Sequence, residues 1–240
     1  MFVEDIYTNI FSLIRDYFMK KTVAFVPLKL NNERLPQKNT KKLSDGTPLL
    51  TLILSTLQQV NGVDEVYVYC SDESVVKYLP VGVKYLKRST ELDLSTTKIN
   101  EVLGSFAHDV KADIYVLAHA TAPFLTTESI QKGVDKVQSG DHDSALTVHK
   151  MQEFVWKDGW PMNYDLAAVP RTQDLDPLFI ETTGLYIYTH DLITQRNARI
   201  GDRPYLVEVS SIESLDINNP IDFDIADAVY THILAKRSDN

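Results

Sequence analysis

From Lys21 onward, short apolar runs alternate with amphipathic stretches, and this alternation sets the expected architecture. "TVAFVPL" (22–28) has almost no polar position, as a strand buried on both faces of a sheet requires. "LLTLILSTLQQV" follows with helical spacing, then "EVYVYCS" as a strand, "ESVVKYL" as a short helix and "VKYLKRS" as a strand. "INEVLGSFAHDV" predicts a helix, "DIYVLAHATAPF" a strand, "TTESIQKGVDKVQ" a helix and "SALTVHKM" a strand. The βαβαβαβαβ order predicts a mostly parallel sheet wrapped by helices on both faces.

The rhythm breaks after Met151. "EFVWKDGWPM" places Asp158-Gly159 between aromatic runs, which predicts a hairpin, and Asn163 to Pro177 is loop-like. "LFIETTGLYIYT" resumes as a strand, "HDLITQRNA" as a helix and "YLVEVSS" as a strand. "PIDFDIADAVYTHILAK" closes as a helix with Pro220 in its first turn. The expected organisation is one domain over 21–240 with a small insert at about 151–180. Before it, residues 1–20 form one amphipathic helix, with Ile6, Ile10, Leu13, Ile14 and Tyr17 at helical spacing. Glu4, Asp5, Arg15 and Asp16 interrupt that stretch, so it predicts neither a membrane span nor a secretion signal, and a cytoplasmic protein is the default expectation.

Composition narrows the chemistry. The 240 residues are 44% apolar and 24% charged, with a net charge of −9, which argues against an extended nucleic-acid surface. Any anionic ligand then needs a local basic cluster. The single cysteine, Cys70, excludes an intrachain disulfide framework and a cysteine-rich metal site, and in "EVYVYCSD" it fits a small core residue. The basic cluster lies directly after the first strand, where "VAFVPLKLNNERLPQKN" carries Lys29, Arg34 and Lys38 beside Asn31 and Asn32. Open parallel sheets bind ligands beyond the carboxyl ends of their strands, so these cations stand where phosphates would be met. Neither G-x-G-x-x-G nor G-x-x-x-x-G-K-[ST] occurs; side chains take the place of a glycine backbone cradle.

"VPLKLNNERLPQKN" resembles the P-A-R-x-x-S-x-R-L-P-x-K-N opening of sugar-acid cytidylyltransferases, the CMP-N-acylneuraminate synthetases and 3-deoxy-octulosonate cytidylyltransferases. Four further stretches follow in that family's order: "LKRSTEL", "LAHATAPF", "PRTQDLDPLFIETTGLYIY" and "SLDINNPIDFDIAD". The match runs from Lys21 to about Leu234. The resemblance implies a three-layer αβα, Rossmann-like nucleotidyltransferase fold. It implies a Mg²⁺-dependent enzyme that couples CTP to a sialic-acid-like sugar acid, and a homodimer formed through the insert, which also lends side chains to the neighbouring sugar site.

Residue by residue, the resemblance places Lys29, Arg34 and Lys38 at the triphosphate and Asn39 and Arg88 at the cytidine. Asp216 matches the first carboxylate of the family's metal pair, with Asn218 where many members have a second aspartate. Positions i and i+2 of an extended segment point the same way, so both can reach one ion. On the sugar side Arg171 matches an arginine of the family and Lys157 a lysine of its insert. His119 replaces a glutamine, Glu181 an arginine and Thr183 an asparagine. The nucleotide half is kept and the sugar half altered, which implies a nonulosonate other than the common sialic acid. Two alternatives stand beside this: a lapsed homologue that binds nucleotide or sugar as a regulatory or assembly partner, and a nucleotidyltransferase for another base or a neutral sugar. Bland roles compete at several positions. Asp141 and Asp143 fit a solvated turn, Asp222, Asp224 and Asp227 the favoured first turns of a helix, and Tyr186 and Tyr188 strand packing.

Overall fold

In the computed structural model, residues 20–30, 35 and 37–234 are described; the expected N-terminal helix and Arg34 lie outside the described residues. Strands β1 (Thr22–Pro27), β2 (Glu65–Cys70), β3 (Lys84–Lys87), β4 (Ile114–Ala118), β5 (Ser144–Met151), β8 (Leu178–Thr189) and β9 (Pro204–Val209) form one sheet in the order β3-β2-β1-β4-β8-β5-β9. Every strand but β8 runs the same way; β8 is antiparallel to both β4 and β5. The parallel expectation therefore holds with one reversed strand inside the sheet.

Alternate residues of β1 serve opposite faces, which is why its apolar run is unbroken. Ala24 and Val26 join the core under α1 (Leu49–Leu57) and α3 (Thr127–Gln138), with Leu54, Leu57, Ile130 and Val134. Val23 and Phe25 join the other core, under α2 (Ile99–Asp109) and α4 (His190–Arg196), where Phe25 stacks on Phe106 with ring centroids 3.9 Å apart. Each such side chain contributes about 1.5–3 kcal/mol relative to exposure. Helices thus cover both faces, giving the three expected layers. A smaller cluster of Leu43, Leu49, Phe124, Ile217 and Phe223 seats α5 (Pro220–Val229).

Local chemistry explains several boundaries. Asp222 Oδ2 accepts the backbone N–H of Asn218 and of Asn219 at the start of α5, so its carboxylate is spent on the helix end, as expected. Asp143 accepts the backbone N–H of Asp202 and the Ser144 hydroxyl, organising a turn. Cys70 is buried. "ESVVKYL" forms a 3₁₀ rather than an α-helical stretch, Glu73–Tyr78, and "DIYVLAHATAPF" ends as a strand at Ala118, because a turn closed by Ala122 N–H to His119 C=O follows.

Between β5 and β8 an arm carries the hairpin β6 (Trp156–Lys157) and β7 (Trp160–Pro161). Asp158 and Gly159 both have positive φ, 52° and 83°, as a two-residue hairpin turn requires. The return along β8 is irregular. Tyr186 pairs with Leu146 and Glu181 with Val148, so five residues of β8 span two of β5. This bulge holds Thr183 at φ 58°, a conformation that strains a β-branched residue and that asparagine tolerates. Thr183→Asn is expected to stabilise the chain by about 1 kcal/mol, read as a rise of roughly 2–4 °C in Tm; an unchanged or lower Tm would show that the bulge is unstrained.

Candidate active site

The first crossover from β1 leads to β2 on one side, and β4 then pairs on the other, so the crevice beyond β1 is the switch point of the sheet. A cleft of about 280 Å³ opens there, lined by Pro27, Lys29, Lys38, Asn39, Arg88 and His119 together with the apolar wall Leu92, Leu94, Ile99 and Val102. Five of the residues singled out in the sequence thus meet in one cleft. A wider depression of about 570 Å³ lies at the opposite edge, between Lys21, Lys111 and His190, and holds none of them.

Each cation of the cleft is held. Arg88 is 6% exposed and its Nε donates to Asp93 Oδ1 at 3.1 Å, with a second contact through Nη2. Asp93 also accepts the Ser71 hydroxyl, and its backbone carbonyl accepts Lys29 Nζ at 3.2 Å. Asp93 belongs to a short 3₁₀ turn, Thr90–Asp93, that sequence reasoning missed; the signal was an acidic residue five positions after an arginine at a strand end. Asn39, 5% exposed, donates Nδ2 to the Lys29 carbonyl at 3.3 Å. Such buried, fixed donors are costly to solvate afresh and meet an anion already oriented.

Lys38 is 9% exposed and donates Nζ to the Ile217 carbonyl at 2.7 Å, while Ile217 N–H donates to the Thr121 carbonyl at 2.9 Å. The segment bearing Asp216 is thereby fastened to the turn after β4. Asp216 Oδ2 accepts Asn218 Nδ2 at 2.6 Å. Glu213, also buried, anchors the same segment by accepting the hydroxyls of Ser129, Thr126 and Ser210, and these bonds hold its carboxyl below the usual range against the opposing effect of burial. Among the described residues no three His, Cys, Asp or Glu side chains cluster as a metal cage. Asp216 with the Asn218 amide beside it is instead the sparse oxygen set that suits Mg²⁺ bound mainly through phosphate and water.

His119, half-buried at the end of β4, joins the two ends of the site. Burial first, then the nearby cations Arg199 and Lys38, lower its pKa to about 4 against the pull of Asp216, so the imidazole is neutral at pH 7. Its ring centroid is 6.4 Å from that of Tyr186. Tyr186 donates its hydroxyl to Glu181 Oε1, and burial with that carboxylate raises the phenol pKa well above its ordinary value. Tyr186 therefore does more than the packing expected of it. Arg199, from the loop between α4 and β9, lays its guanidinium 3.7 Å from the Tyr186 ring centroid and 3.7 Å from Glu181 Oε1. Nothing in the sequence pattern marks Arg199, since only the fold brings it to Glu181.

The structure does not bring Lys157 and Arg171 to the cleft of their own chain. Lys157 is exposed on the hairpin, and exposed Arg171 forms a two-bond pair with Asp174, at 2.7 and 2.9 Å. The arm around them exposes Trp156, Trp160, Met162, Leu166 and Val169. No helix among the described residues is long and apolar enough to cross a membrane.

A family model described as "Cytidylyltransferase" matches residues 23–232. N-acylneuraminate cytidylyltransferase A of Danio rerio is 26% identical over 214 residues, covering 85% of this chain and 49% of its own length, so the chain spans about half of that relative. CMP-N,N'-diacetyllegionaminic acid synthase of Legionella pneumophila is 26% identical over 225 residues, covering 85% of this chain and 93% of the relative. Among solved structures, a CMP:2-keto-3-deoxy-manno-octonic acid synthetase complexed with CTP superposes with a TM-score of 0.68 at 18% identity, covering 90% of this chain and 99% of that one. A 4-diphosphocytidyl-2C-methyl-D-erythritol synthase from Anaerococcus prevotii follows at 0.64 and 14%, covering 90% and 99%. These last two likenesses concern the fold.

Proposed function

The chain belongs to the cytidylyltransferase family, and from that premise we propose that it transfers CMP from CTP to a nonulosonic, sialic-acid-like sugar acid and releases pyrophosphate. The observation that carries this reading is the meeting of Lys29, Lys38, Asn39 and Arg88 at the carboxyl edge of β1, with the Asp216 segment fastened to Lys38. A hydroxyl oxygen of the sugar attacks the α-phosphorus in line; the new O–P bond forms as the bond from the α-phosphorus to the bridging oxygen of the β-phosphate breaks, and the hydroxyl proton passes to solvent. Charge grows on the departing pyrophosphate, and the work of the protein is positioning and neutralisation.

In this reading Lys29 and Lys38 meet the phosphates together with Arg34 of the same loop. Asn39 and Arg88 hold the cytidine, an amide supplying the donor and acceptor that a base edge needs. Mg²⁺, when bound, neutralises phosphate charge; Asp216 would hold it, with Asn218 contributing weakly or through water. His119 and Glu181 face the sugar. A second copy of this chain covers the exposed tryptophans of the arm and receives Lys157 and Arg171 at its sugar site. The two residues then serve across the dimer what they do not reach within one chain.

The test is pyrophosphate release from CTP, Mg²⁺ and a panel of sugar acids, on protein whose mass in solution is measured alongside. Release is expected with nonulosonic acids and CTP, from a dimer. CTP binding without release for any acid would favour the lapsed homologue, and release with a neutral sugar or another nucleotide would favour a different nucleotidyltransferase.

A further inference from the structure

The carboxyl ends of three adjacent strands converge on Asp93, just past the "LKRSTEL" stretch. Arg88, directly after β3, gives its carboxylate Nε and Nη2, and Ser71, directly after β2, gives it a hydroxyl. Lys29, two residues after β1, donates Nζ to its backbone carbonyl. The residues on either side of it, Leu92 and Leu94, line the apolar wall of the cleft, which Arg88 and Lys29 also line. Asp93 thus fastens that wall to the strand ends and holds two cations of the cleft at once. The Arg88 and Asp93 side chains are 5% and 16% exposed, so the pair is screened from water and each charge is committed to the other.

The pairing decides what Arg88 can do. A guanidinium is a flat fork of five N–H donors with no acceptor. Asp93 engages Nε and one side of Nη2, and Nη1 makes no hydrogen bond among the described residues. The edge formed by Nη1 and Nη2 therefore keeps two parallel donors, in the plane that the carboxylate sets. Two parallel donors suit the adjacent O2 and N3 acceptors of cytosine and conflict with uracil, which carries a hydrogen on N3. The carboxylate also balances the charge of the arginine, so the guanidinium is not drawn toward the triphosphate as a loose cation would be.

We propose that Asp93 is a positioning residue for the nucleotide: by fixing the plane of Arg88 it turns that arginine to the base and away from the phosphates. This rests on the function proposed above, in which Arg88 meets the cytidine, and adds a residue on which the choice of base depends. Asp93 itself does not line the cleft and acts through Arg88.

The experiment measures binding of CTP, UTP and inorganic triphosphate by calorimetry. It uses wild type, Asp93→Asn, Asp93→Glu, Arg88→Gln and the double variant Asp93→Asn/Arg88→Gln, with thermal unfolding of each. Asp93→Asn keeps shape but not charge, and is expected to lower the preference for CTP over UTP roughly ten- to a hundredfold by weakening CTP. Triphosphate affinity should stay within about threefold of wild type, a margin well below that loss. Asp93→Glu keeps the ion pair, and so the fold, but displaces it by a methylene; it should lose a smaller part of the preference, about three- to tenfold. In the Arg88→Gln background Asp93→Asn should change the preference no further, because its effect passes through the arginine. Equal loss of all three ligands, or a full further loss in that background, is the result of a residue that only props the wall, and it overturns the inference. So does an unchanged preference in whichever of the Asn and Glu variants folds, while wild type still prefers CTP. Wild type that binds CTP no better than UTP overturns the reading of Arg88 as a cytidine contact, and the role of Asp93 with it.

Discussion

Asp216→Ala is expected to lower turnover by at least 10²–10³-fold even at saturating CTP. The loss follows from geometry as much as from charge. Asp216 lies on a segment held by Ile217 N–H to Thr121, by Lys38 Nζ to the Ile217 carbonyl and by the Glu213 hydrogen bonds, so the carboxylate is presented without freedom to search. Asp222, six residues on, is committed to the amides that open α5, and among the described residues no cluster of carboxylates stands ready to substitute. Charge neutralisation that is needed only as pyrophosphate departs appears in kcat rather than in CTP affinity. Pyrophosphate release across a Mg²⁺ titration checks it. Retention of most turnover at ordinary Mg²⁺ would remove Asp216 from the metal role. Asn218→Asp serves as the companion: it should keep activity and lower the Mg²⁺ requirement, because a second carboxylate replaces the amide that now donates to Asp216.

The second large effect is expected at Lys38. In the proposed phosphate role, Lys38 supplies a charged donor, and Lys38→Ala should weaken CTP binding roughly ten- to a hundredfold. It also strips a bond from the Ile217 carbonyl. The Asp216 segment is then less well fixed, so kcat should fall along with affinity, and stability should drop by about 1–3 kcal/mol for the buried carbonyl. Lys38→Arg, which keeps charge but not shape, should recover part of the affinity and less of kcat. Calorimetry with CTP, single-turnover kinetics and denaturant unfolding separate the three consequences. Unchanged CTP affinity in a folded Lys38→Ala protein would be incompatible with a phosphate contact.

The sheet and its helices could be read from the sequence because parallel strands buried on both faces write themselves as unbroken apolar runs, as in "VAFV". The helices between them show one apolar stripe each, as Ile130, Val134 and Val137 do. The place of the cleft followed as well, since a basic loop after the first strand of such a sheet has one carboxyl edge to face. Lys29, Lys38, Asn39, Arg88 and His119 meet there. The reversal of β8 was not legible, because an apolar strand pattern reads the same in either direction and its partners are chosen by hydrogen bonding across the sheet.

Polar groups close together in sequence, such as Asp216 and Asn218 two apart, were brought together by the chain's own local geometry: Asn218 Nδ2 donates to Asp216 Oδ2. Groups distant in sequence were decided only by tertiary structure. Arg199 reaches Glu181 because α4 turns the chain back along the sheet and the bulge at Thr183 reverses the face of β8, neither of which leaves a local periodic signal. Lys157 and Arg171 show the converse. Their residue types fit the chemistry, yet neither lines the cleft of its own chain, because the arm is shaped by hydrogen bonds within itself, from Gln152 to the Leu175 carbonyl, from Val155 N–H to Asn163 and from Arg171 to Asp174, and no periodic pattern in the sequence encodes where such an irregular loop points.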